Sequence, residues 1–269
     1  VGTGASTNGK SGSIRVTVGA GNTGDGGGVW IFAGQTTADN KVGGMVSIRG
    51  GISYTGTTLA KGGSVEIGGG AGSGHSGGAV SVLTGYGSMT SSGSVSVRTM
   101  NSGDNGVSGR LSFSSGTASV GNSGSISIGT DRATNGKGGS IRVTVGAGDT
   151  GDGGDFLVFS GESTVSSGGA VDVATGFGSA TSSGEAIMWT PNAGDNGVSG
   201  HISFSSGTAS GGNSGLIAVG TGKSTSGKGG DINVIVQPGT GAPAGDGDNV
   251  GDGGSVSITA GETTATTSA

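Results

Sequence analysis

The sequence predicts an all-β protein: a single-stack β-solenoid, or β-helix, of about sixteen short coils, mostly 15 residues each. Three observations predict it: a unit of near-constant length, apolar residues at alternate positions within each unit, and glycine where the units turn. The repeat is plain in three consecutive lines, SIRVTVGAGDTGDGG (140 to 154), DFLVFSGESTVSSGG (155 to 169) and AVDVATGFGSATSSG (170 to 184). Sixteen such units run from 13 to 269 behind a partial coil at 1 to 12, and the whole is read as one continuous array. Eleven units keep the 15-residue length. The exceptions are 28 to 44, 45 to 63, 94 to 109, 185 to 200 and 231 to 254.

The second and fourth positions of each unit are apolar, as in Val80 and Val82, Ile126 and Ile128, and Ile141 and Val143. A period of two is that of a strand, with both side chains on one face. The sixth position is small or β-branched, as in Thr84, Thr130, Val145 and Ser160, so a strand of about five residues is expected to point three side chains inward. Glycines near positions seven and fifteen supply the expected turns, and the Gly/Ser/Thr remainder reads as a tight return strand. Stacked at strand spacing, the coils would form a rod on the order of 75 Å long. Such stacking buries what one unit alone cannot.

Composition narrows the alternatives. Of 269 residues 69 are Gly and only ten are aromatic (6 Phe, 2 Trp, 2 Tyr), which leaves no material for a conventional core. The 3 Pro and the lack of a Gly at every third residue exclude collagen. With no Cys, neither a disulfide nor a thiolate metal site holds the chain. A net charge of −5 with scattered Lys and Arg argues against nucleic acid and anionic membrane as partners, and no apolar run has the length of a membrane span.

A longer period lies above the first. AVSVLTGYGSMTSSG at 79 returns as AVDVATGFGSATSSG at 170, and RLSFSSGTASVGNSG at 110 as HISFSSGTASGGNSG at 201, each displaced by 91 residues. The leader GTGASTNGKSG (2 to 12) is similar to GTGKSTSGKGG (220 to 230), and the array closes without a distinct capping sequence. The chain therefore reads as an excerpt of a longer array.

Few residues offer chemistry. His75 and His201 have no motif partners, so no enzyme is expected. Acidic residues recur in one kind of turn, with Asp25 in GNTGDGG, Asp149 and Asp152 in GDTGDGG, and Asp246, Asp248 and Asp252 in GDGDNVGDGG. Carboxylates among glycine carbonyls suit Ca²⁺, and Asp246, Asp248 and Asp252 are the candidate ligands. Against an EF-hand stand Val250, where that loop wants Asp or Asn, and Ser257 in place of its final Glu. Three units carry large apolar residues at outward positions, Trp30 and Phe32, Leu157 and Phe159, Ile187 and Trp189, a candidate patch for lateral self-association. No Asn-x-Ser/Thr sequon occurs, which excludes N-linked sugars and leaves O-linked glycans open.

Units such as GGSIRVTVGAGDTGDGG and GGAVDVATGFGSATSSG resemble the Gly/Ser-rich repeat regions of large secreted or cell-surface proteins of microalgae and other protists. More loosely, they resemble the stalks of bacterial β-solenoid adhesins. The resemblance implies an extracellular or cell-surface location and a structural role in a filament, appendage or surface layer. The alternative is an adhesin stalk or an ice-binding β-solenoid similar to insect antifreeze proteins, although the outward positions show no uniform Thr-x-Thr array.

Overall fold

A computed structural model describes residues 1–7, 9–54, 61–194, 197–239 and 253–261. Among these there is no helix and no β-strand, so the chain is not an all-β solenoid and its coils are not those of a β-helix. The described backbone is irregular, and it carries the 15-residue period in another way.

In the fully described 15-residue units, positions one to six carry no turn or bend and form an arm, and positions seven to fifteen form a loop. In all ten fully described 15-residue units the chain bends at positions ten to twelve, for example at 88–90, 134–136, 149–151 and 179–181. The turns were expected at the glycines of positions seven and fifteen. Those glycines instead form the neck of the loop, where two backbones meet. The last Gly of a unit donates its N–H to the carbonyl of position seven in seven units, among them Gly78 to Gly70 at 2.8 Å, Gly93 to Gly85 at 3.1 Å, Gly169 to Gly161 at 2.9 Å and Gly184 to Gly176 at 2.9 Å. Two of these seven are longer units, Gly44 to Gly34 at 2.7 Å and Gly63 to Gly51 at 2.8 Å, so the neck is kept when the unit is longer.

The correction has a physical reason. A ladder requires the N–H and C=O groups of one arm to meet those of the next, whereas the backbone bonds formed among the described residues all stay within single units. The segment expected as a return strand is that self-closed loop. Two apolar side chains per unit are also a small return for ordering fifteen residues, many of them Gly, whose backbone loses the most freedom on ordering.

None of the described residues is buried. The apolar pair expected to face a core is exposed in every described unit, with Ile126 at 55% and Ile128 at 76% of full accessibility. Among the described residues only Gly50, Gly87, Gly178 and Thr190 are half-buried, and they occupy positions six and nine. What little shelter the chain makes lies in the loops and at their necks.

The residues group into two units, Val1–Ile141 and Arg142–Ala269. The boundary falls between the second and third positions of the repeat unit 140–154. Each group repeats the same arm-and-loop pattern.

Candidate functional site

Among the described residues the most structured feature is the loop neck, and positions six, seven, nine and fifteen build it. At position nine, glycine lets the backbone pass close to the carbonyls of positions twelve and thirteen. A Cβ on Gly72 would stand 2.7 Å from the His75 oxygen and 2.6 Å from the Ser76 oxygen, and on Gly148 it would stand 2.7 Å from the Asp152 oxygen. Such approaches leave no room for a side chain. Where position nine is Ser, the hydroxyl does the work instead. Ser163 Oγ accepts the N–H of Ser166, and Ser224 Oγ that of Gly227, both at 2.9 Å. These are local side-chain caps of the kind that favour turns over regular structure.

Position six explains itself at the neck. A Cβ on the closing glycine would meet the position-six side chain, at 2.7 Å for Gly154 against Val145, 2.9 Å for Gly139 against Thr130 and 3.2 Å for Gly93 against Thr84. Small residues at position six and Gly at the unit's end are thus one constraint seen from two sides. In two units whose seventh residue is not Gly, the Thr at position six closes the loop through its hydroxyl. Thr130 Oγ1 donates to the Gly139 carbonyl at 3.3 Å beside Asp131, and Thr190 Oγ1 to the Gly200 carbonyl at 3.0 Å beside Pro191. Replacing Thr130 by Val keeps the shape and removes that donor. Amide exchange across 131–139 is then expected to quicken by about five-fold, the factor set by a net hydrogen bond of about 1 kcal/mol, while the loop of 140–154 stays unchanged.

The sequence-derived candidates fare unequally. Asp246, Asp248 and Asp252 lie outside the described residues. Among the described residues no group of three or more His, Asp or Glu is placed to hold a metal ion. Asp25, Asp149 and Asp152 are exposed in their loops, and Asp149 Oδ1 accepts from its neighbour Thr150 Oγ1 at 3.4 Å. His75 closes the bend at 73–75 and His201 opens an arm, both exposed.

The six apolar patch residues are all exposed, Phe32 the most at 85%. The Trp30 ring leans back along its own arm, 2.8 Å from where a Cβ on Gly28 would stand. Exposure does not set these six apart, because the pair at positions two and four is exposed as well. Their union into one patch relied on coils stacked at strand spacing, which the described residues lack.

Two other features occur among the described residues. A shallow depression of about 230 Å³ is lined by four consecutive residues, Arg98, Thr99, Met100 and Asn101. One ion pair joins Lys228 Nζ to Asp231 Oδ2 at 2.8 Å, both largely exposed, where water and salt leave such pairs little net effect. Sequence reading missed the left-handed residues Asn40 (φ 57°) and Asn135 (φ 62°). The Asn-Gly dipeptide at 135–136, a strong turn signal, could have found the second.

No helix among the described residues is long and apolar enough to cross a membrane. No protein-family model, no curated protein and no solved structure matches the chain.

Proposed function

We propose that the chain is an extracellular structural protein that contributes to a filament, appendage or surface layer by self-association. The observation that carries this reading is the apolar pair on every arm. Positions two and four are exposed in unit after unit, from Ile14 and Val16 to Ile232 and Val234. Apolar surface repeated at a fixed spacing gains free energy by leaving water, and among the described residues none of it is buried. A second copy carries the same residues at the same spacing, so it matches the pattern at every unit. The N–H and C=O groups of the arms, unpaired among the described residues, add a second reason to associate. Support for the location comes from the resemblance of the repeats to secreted and cell-surface proteins, and the exposed Ser and Thr of the loops are acceptors for O-linked sugars in such a setting.

Sedimentation velocity over a wide concentration range tests the reading. Reversible growth of species larger than the monomer is expected, strengthened by sulfate, which favours apolar burial. A monomer at every concentration and salt would overturn it.

A further inference from the structure

We propose that the bend at 134–136 is a site of spontaneous backbone chemistry, at which Asn135 converts through a cyclic imide to an isoaspartyl or aspartyl residue. Four Asn-Gly pairs occur in the chain, with their Asn at 8, 105, 135 and 196, and the described residues include Asn105 and Asn135. The two differ in the atom that must react. Attack comes from the backbone nitrogen of the following glycine. Gly106 N–H is held by the Gly103 carbonyl at 3.3 Å across the turn at 104–105, whereas Gly136 N–H makes no hydrogen bond among the described residues. Around Gly136 there is open space: the nearest atom to a Cβ built there is the Ala133 methyl at 3.9 Å. Asn135 is exposed, with its backbone in the left-handed region that Asn tolerates better than most residues. Asn40 shares that backbone conformation, but Lys41 follows it and puts a side chain beside the attacking nitrogen.

The balance is simple. The Gly136 nitrogen bonds to Cγ of Asn135, the bond from Cγ to Nδ2 breaks, and ammonia leaves with the proton given up by the Gly136 amide. Water then opens the imide at one of its two carbonyls. Opening at Cγ restores the main chain and leaves an aspartyl side chain, while opening at the backbone carbonyl leaves an isoaspartyl link. Nothing is oxidised or reduced. The isoaspartyl product adds one carbon to the main chain at the bend and places a new carboxylate within a loop whose neck is held by Thr130 Oγ1 and the Gly139 carbonyl.

The full chain, incubated at mildly alkaline pH and sampled over weeks by peptide mass spectrometry with fragmentation that separates the two isomers, tests this. Conversion at Asn135 is expected about five-fold faster than at Asn105, the factor equivalent to one backbone hydrogen bond of about 1 kcal/mol. Isoaspartate is expected as the main product. In concentrated urea the difference between the two sites is expected to collapse, because the Gly106 hydrogen bond is lost there. Gly136→Ala is expected to slow the Asn135 reaction alone. Equal rates at the two sites without urea, or a difference that urea leaves intact, would overturn the proposal.

Discussion

Placing lysines at both apolar positions of one arm, Ile126→Lys with Ile128→Lys, is expected to raise the concentration needed for association by at least about 30-fold. Burying an aliphatic side chain is worth roughly 1.5–3 kcal/mol. Because Ile126 and Ile128 are already partly covered, at 55% and 76% exposed, the pair retains about 2–4 kcal/mol to gain on association. At about 1.4 kcal/mol per decade of affinity, even the lower figure corresponds to a factor of about 30. Ser127→Lys, which adds charge to the same arm between them, is the control and is expected to change association far less. Neither isoleucine is buried among the described residues, so the amide exchange of the loop at 131–139 is expected to remain as in the unaltered protein. Association measured by sedimentation in all three proteins checks the point. A double variant that associates as readily as the parent means that the arms are not the contact surface.

The second large effect is expected at the loop neck, from Gly178→Val. A Cβ at that position would come within 2.8 Å of the Ser182 carbonyl carbon and 3.0 Å of the Thr181 oxygen. Both are backbone atoms, so the loop itself must open. The bond from Gly184 N–H to the Gly176 carbonyl, 2.9 Å long, closes that loop. Its loss is expected to speed exchange of the Gly184 amide about five-fold or more, the equivalent of a net hydrogen bond of about 1 kcal/mol. Gly176→Ala meets nothing within 4 Å and is expected to leave exchange unchanged. Reading both variants by amide exchange separates a steric demand for glycine at position nine from a general effect of removing glycine.

Much of this geometry was legible in the sequence, though with a different meaning. The 15-residue unit, the glycines at seven and fifteen and the small residue at six all have structural counterparts. Gly184 meets Gly176, and Val145 stands against Gly154. The error lay in where those close approaches lead. A period of two across Ile126 and Ile128 states which residues share a face of an extended arm, but not whether another arm covers that face. Strand pairing joins residues of different units, and a repeat displays every unit with the same credentials whether or not they pair. The candidate apolar patch inherited the same assumption, because Leu157 and Trp189 become neighbours only across stacked coils.

What the sequence by itself determined is the local part: the length of each unit, the two apolar side chains on its arm, and the small residues that a narrow neck demands, because these follow from sterics within one unit. The tertiary structure decided the rest. It places the bend at positions ten to twelve, turns Gly-to-Gly bonds inward to close single loops, and leaves Ile128 and its counterparts in water. The physical reason is that a bond between positions seven and fifteen closes only a short loop, whereas a ladder must order whole units before it gains anything. In a chain so rich in glycine the short closure wins.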